Sequence, residues 1–294
     1  MHFSRSIPAL ITPFVNGSID HDALRRLIDW HVDQGSSGLV ICGTTGECPT
    51  LNHEEHIHVI REAVKLVQGR IPVIAGAGSN STEEAVFLSR CSEEAGADAL
   101  LHVTGYYNKP TQSQIIEHFR VLDRAVKLPI IVYNIPSRTG QELSVDTISA
   151  LAQLEHIVGV KDSTGNVARV TMERLRVRKP FSFLSGDDAT CLGYVAHGGH
   201  GCISVTANVA PKVCASMFDA MQRGDIAGAQ SIHNSLMPLH TALFIDPSPA
   251  GVKYAMCKLG LCANELRLPL SPATETARVA IDKALEALEA STCQ

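Results

Sequence analysis

Ile157-Val158-Gly159-Val160-Lys161-Asp162-Ser163 is a short apolar run that ends on a lysine. Four β-branched or small residues in a row read as a buried parallel strand, with Lys161 at its carboxyl end and facing inward. Burial disfavours the ammonium form of a lysine. A residue so placed is expected to offer a free amine that attacks a ketone and forms a Schiff base. The competing expectation is an ordinary strand-end lysine paired with Asp162, since structural ion pairs are common at such positions.

Outward from this stretch the pattern repeats. Apolar strand-like runs recur at Ile7 to Thr12, Gly38 to Cys42, Pro72 to Ala75, Ala99 to Val103, Ile130 to Tyr133, Ile157 to Val160, Phe181 to Leu184 and Gly201 to Val205. Helical periodicity fills the gaps, as over Asp22 to Val32, where Leu24, Leu27, Ile28 and Val32 are expected on one face. Asn52, Ser81 and Thr111 stand where N-caps belong. Eight strand-helix units at roughly 25-residue spacing predict an α/β fold, a (β/α)8 TIM barrel, rather than an open doubly wound sheet. From Asp225 onward helical patterns are broken by Pro238, Pro247, Pro249, Pro269 and Pro272. The expected division is a catalytic barrel over residues 1–224 and a C-terminal helical region, packed on the barrel, over residues 225–294.

The chain has 294 residues, 45% hydrophobic and 19% charged, enough to bury a large core. Its net charge of −5, with acids and bases interspersed, offers no basic stripe for nucleic acid and no polybasic segment for a membrane surface. Small molecules are the expected partners. The start, Met1 to Ile7, lacks the apolar core of a signal peptide, and no run reaches the ~20 apolar residues of a membrane span. Nine cysteines, an odd number in no disulfide framework, agree with a cytoplasmic protein. Cys42 and Cys202 read as small buried hydrophobes, and Cys257 and Cys262 lack the second ligand pair of a structural zinc site.

In such a barrel the chemistry sits at the carboxyl ends of the strands. Gly43-Thr44-Thr45-Gly46-Glu47 follows the second strand, Gly105 to Lys109 the fourth, Tyr133 to Arg138 the fifth, and Ser185 to Asp188 the seventh, while Ile203 lies within the eighth. The backbone N–H groups of the Gly43 to Glu47 loop and its two threonine hydroxyls suit a carboxylate, although a capped tight turn reads the same way. Tyr133, on the strand next to Lys161, is placed as a proton donor and acceptor, or as a core tyrosine. Arg138 suits a substrate carboxylate held through two hydrogen bonds, or a solvated surface site.

With Ile7 to Phe14, GTTGE, YYNKPTQ, YNIPSRTG, GVKDSTGN and LSGDD in view, nearly the whole chain resembles the pyruvate-dependent class I aldolases and lyases. Within them it is most similar to the dihydrodipicolinate synthase family. The resemblance implies an enzyme that condenses pyruvate with L-aspartate β-semialdehyde, early in diaminopimelate and lysine biosynthesis, without metal or organic cofactor. It implies that Lys161 forms the imine and that Tyr133, Thr44 and Tyr107 relay protons. Thr45, Ile203 and Gly186 would bind substrate, and Arg138 the carboxylate of the aldehyde. It further implies a homo-oligomer, a tetramer built as two tight dimers, with Tyr107 supplied by a neighbouring subunit. Inhibition by L-lysine would act through His53, His56, Asn80, Glu84 and Tyr106, with Cys48 departing from the serine common at its position.

The main alternative is a sister lyase on the same barrel, such as N-acetylneuraminate lyase or a 2-keto-3-deoxy sugar acid aldolase. Arg138 and the Tyr106-Tyr107 pair favour the first reading. A catalytically silent barrel would have lost the lysine or its partners, all of which are present. His53 and His56 are spaced i, i+3, which does not fit the zinc-protease helix. His197 and His200 flank a glycine-rich turn and receive no catalytic role. Asp187 and Asp188 are expected to cap a loop or to touch the aldehyde substrate.

Overall fold

The computed structural model describes residues 2–292. The eight apolar runs become eight parallel strands: β1 Arg5–Pro8, β2 Leu39–Ile41, β3 Val73–Gly76, β4 Ala99–Val103, β5 Ile130–Asn134, β6 Ile157–Asp162, β7 Ser182–Ser185 and β8 Gly201–Ser204. From β2 to β8 each strand pairs with its successor, and β8 pairs with β1. A bridge between Ala9 and Val40 closes the ring, with the Leu10 N–H donating to the Val40 carbonyl at 2.9 Å.

A helix follows every strand: α1 His21–Asp33, α2 His53–Val67, α3 Thr82–Glu94, α4 Gln112–Ala125, α5 Val145–Leu151, α6 Ala168–Arg176, α7 Cys191–Ala196 and α8 Pro211–Gln222. Asn52 and Thr111 close capping boxes with Glu55 and Gln114, and the Ser81 hydroxyl accepts from the Glu84 N–H. These caps satisfy N–H groups that a helix start leaves unpaired. The chain then adds α9 Ile226–Ala242, α10 Ala250–Lys258 and α11 Glu275–Thr292.

Alternation along the strands splits the apolar core into two layers. Ile7, Val40, Ile74, Leu101, Ile131, Leu184 and Ile203 fill the barrel interior, with Tyr133 among them. A larger layer lies between strands and helices and includes Leu24, Leu27, Ile28, Ile60, Phe119 and Val160. Each such aliphatic side chain contributes about 1.5–3 kcal/mol by leaving water.

Four local features differ from the periodicity reading. The first strand ends at Pro8 instead of Thr12, because Ile11 N–H donates to Asn208 Oδ1 and the Thr12 hydroxyl to the Gly46 carbonyl, drawing the chain across the barrel mouth. On α1 the buried residue of the last turn is His31, not Val32, since i+7 from Leu24 stays on the stripe and i+8 drifts off it. Pro238 does not break its helix but lies inside α9, which is clamped between α8 and α11. A small hairpin, Phe14–Val15 with Ser18–Ile19, precedes α1, turning on Asn16 and Gly17, both at positive φ. Asn-Gly is the strongest short-range hairpin signal, and Asn16-Gly17 places this turn. Among the described residues no helix is long and apolar enough to cross a membrane.

Candidate active site

Lys161 lies one residue from the end of β6, in register with Tyr133 on β5 and Leu184 on β7. Only 6% of it is exposed, and its Nζ stands 4.0 Å above the centroid of the Tyr133 ring. Pleating sends the next residue the other way. Asp162 faces outward, where its carboxylate accepts from Arg169 Nε at 3.1 Å, Asn134 Nδ2 at 3.1 Å and the Thr164 hydroxyl at 2.6 Å. Asp162 is therefore committed to Arg169, and the expected alternative of a Lys161–Asp162 pair is not what forms. Arg169 also reaches Glu173 at 2.8 Å and Glu142, which fastens the outer side of β6 to α6. Desolvation raises the Glu173 carboxyl to about 7 despite that guanidinium.

Ile203 projects into the same interior from β8, fully buried beside Tyr133 and Leu184. Gly186 closes the opposite flank, its N–H donating to the Asp162 carbonyl at 2.7 Å. A Cβ there would fall 2.1 Å from Ser163 Oγ and 2.7 Å from Lys161 Cε, so only glycine leaves the lysine its space. Asp188 is a cap: it accepts from the Ser204 hydroxyl and from the Val205 and Thr206 N–H groups at 2.9 and 3.2 Å. Asp187 accepts from the Thr190 hydroxyl at 2.5 Å.

The Gly43 to Glu47 loop is framed by two non-glycine residues in the left-handed region, Cys42 at φ 56° and Glu47 at φ 55°. Such conformations cost about 1–3 kcal/mol each and persist only where surroundings impose them. At Glu47 the C-terminal region supplies them. Lys253 of α10, fully buried, meets Glu47 at 2.5 Å, donates to the Glu265 carbonyl at 2.8 Å and stands 4.1 Å above the Phe14 ring. The Arg267 N–H donates to Glu47 Oε2 at 3.0 Å, while its guanidinium grips both Glu55 oxygens at 2.6 and 2.7 Å. Thr45 is thereby held buried and Thr44 half-buried at the mouth.

Thr44 and Arg138 share a cavity of about 370 Å³ with Cys48, His53, His56, Glu84 and Tyr106. Arg138 reaches it from the short helix Pro136–Thr139. His53 Nε2 lies 2.7 Å from Glu84 Oε1, and the Ser79 hydroxyl donates to the other Glu84 oxygen. Those two partners, the hydroxyl first, hold the Glu84 carboxyl below its usual range. His56 donates from Nε2 to the Gly76 carbonyl at 2.7 Å, and burial lowers its pKa, so it stands as a neutral ring. Asn80 donates to the Tyr106 carbonyl at 3.3 Å and lines a neighbouring cavity. Burial pushes the Tyr106 phenol up. Tyr107 is not brought to Lys161 within this chain: it stands at positive φ and is 91% exposed.

Residues 2–288 match the family described as Dihydrodipicolinate synthetase family. The chain belongs to this family. A 4-hydroxy-tetrahydrodipicolinate synthase from Parvibaculum lavamentivorans is 56% identical over 94% of each chain. A chloride-inhibited dihydrodipicolinate synthase from Acinetobacter baumannii, solved with pyruvate, aligns at TM-score 0.95 and 41% identity over 97% of this chain and 99% of that one. One from Cyanidioschyzon merolae with lysine bound aligns at TM-score 0.95 and 36% identity over 98% of both. Seen as a synthetase-family barrel, the chain carries two residues that sequence reasoning missed, Lys253 and Arg267. A signal existed for Lys253, which falls between Val252 and Met256 on the buried stripe of α10.

Proposed function

We propose that this chain condenses pyruvate with L-aspartate β-semialdehyde to 4-hydroxy-tetrahydrodipicolinate, the first committed step toward diaminopimelate and lysine. The observation that carries the reading is the Lys161 amine, buried at the mouth of a closed barrel and 4.0 Å from the Tyr133 ring. The amine adds to the pyruvate ketone, and water leaves as the imine forms. Loss of a methyl proton gives an enamine, whose carbon adds to the aldehyde. The amino group of the second substrate then attacks the imine carbon, closing the ring and releasing Lys161. Tyr133, Thr44 and a Tyr107 contributed by a neighbouring copy carry the protons. Thr45, Ile203 and Gly186 seat pyruvate, and Arg138 takes the carboxylate of the aldehyde through two hydrogen bonds.

L-Lysine is the proposed inhibitor, received where His53, His56, Asn80, Glu84 and Tyr106 converge. The ionised Glu84 suits its ammonium group, and His56 has only Nδ1 left to offer. Residues 1–224 are assigned as the catalytic barrel and residues 225–294 as its packed extension, in a cytoplasmic tetramer of two tight dimers. A coupled assay with both substrates should show turnover that sugar acids do not support. Borohydride with pyruvate should attach the adduct to Lys161, and a modified peptide from elsewhere would end the mechanism. Millimolar L-lysine should depress the initial rate, and Glu84→Gln should relieve that inhibition.

A further inference from the structure

His21 is the first residue of α1, and His58 and Glu62 stand one turn apart on α2, which packs against it. One ring nitrogen of His21, one of His58 and a Glu62 carboxylate oxygen all lie within 4.8 Å of one another. Both imidazoles address the same oxygen, Glu62 Oε2: His21 in direct contact, His58 at 3.5 Å. The two rings meet edge-on with centroids 5.2 Å apart.

Local structure fixes this convergence. Side chains at i and i+4 share one helix face, which brings His58 and Glu62 together. Asp20 caps α1 through the Ala23 N–H at 2.9 Å, and the Asn52–Glu55 box caps α2. The backbones that carry the three groups are therefore set before any ligand arrives. Two imidazole nitrogens and one carboxylate oxygen make a donor set for Zn²⁺ and its neighbours in the first transition row, whereas Mg²⁺ and Ca²⁺ require oxygen ligands. The histidine side chains are about half exposed, at 49% and 55%, so an ion reaches them directly from solution.

We propose that His21, His58 and Glu62 bind one divalent transition-metal ion, Zn²⁺ foremost, which cross-links α1 to α2 and leaves its remaining positions to water. The site lies on the helical shell and takes no part in the lyase chemistry. Binding replaces the imidazole–carboxylate contacts by three metal bonds that draw on the same atoms.

The test uses the chelator-treated full chain, titrated calorimetrically with Zn²⁺ and followed spectroscopically with Co²⁺. One ion per chain should bind at this site, raising Tm and giving a visible Co²⁺ band, while Mg²⁺ does neither. His21→Ala, His58→Ala and Glu62→Gln should each weaken Zn²⁺ by at least about tenfold, since even outer-shell partners of a metal are worth that much. Each should also lose the metal-dependent gain in Tm while keeping the metal-free Tm of the parent. Affinity unchanged in all three variants would assign the ion to other histidines and overturn the proposal. Absence of Zn²⁺ binding by the parent would do the same.

Discussion

A methyl group added at Gly186 arrives 2.1 Å from Ser163 Oγ and 2.7 Å from Lys161 Cε, so it displaces the side chain whose amine is the proposed nucleophile. Gly186→Ala should lower kcat/KM by about a hundredfold, the cost of misplacing a reacting group by an ångström, with the circular dichroism spectrum intact. Borohydride trapping on Lys161 should fall in parallel. Glu173 gives a pH prediction. Its carboxyl is raised to about 7 by burial, above the 4.5 of an unfolded chain, so the folded state holds the proton longer. Stability from this group is full below pH 4.5 and is lost as pH rises through 7. Glu173→Gln should remove a decline on the order of 2–3 kcal/mol across that window. The comparison is variant minus parent in urea midpoints, because His31 and His102, each lowered by burial to about 3, slope the opposite way below 6.5. Lys161 was legible because an apolar run that ends on a lysine is rare enough to notice. Gly186 as the guardian of its space was not, since that clash joins two strands and a loop that no local pattern connects.

The eight strands and their helices were readable for a simple reason: each buries its own stripe, and the period of that stripe is written locally. Strand ends were less so, as β1 shows, where Asn208 and Gly46 redirect the chain from far away in sequence. The Glu47–Lys253 pair lies at the far limit of legibility, because neither residue carries any local mark of the other. Breaking it leaves a buried charge uncompensated. Lys253→Met should destabilise the fold by about 3–5 kcal/mol, whereas Lys253→Met with Glu47→Gln should recover part of that loss. Thermal or urea unfolding reads the difference. The single variant should also raise KM for pyruvate more than it lowers kcat, since the Thr44–Thr45 loop loses its anchor. Equal stability of the single and double variants would show that the pair is not coupled.

For the molecule as a whole, the exposed Tyr107 is the feature a single copy leaves unexplained. If a neighbouring copy completes the site, Tyr107→Phe and Lys161→Ala should each be poorly active alone, yet activity should appear when the two are unfolded and refolded together. Light scattering should find the parent larger than one chain at assay concentration. The barrel was legible at this scale because its strand-helix unit recurs along one chain, whereas assembly is a property of surfaces that periodicity does not address. The grip of Lys253 and Arg267 on the Gly43 to Glu47 loop also bears on protein engineering. A designer who trims the chain after α8 to obtain a minimal scaffold would discard the tether of the Gly43 to Glu47 loop along with the apparent surplus. Grafts of the loop onto other backbones must therefore carry the segment from α10 through Arg267 as well as the rim.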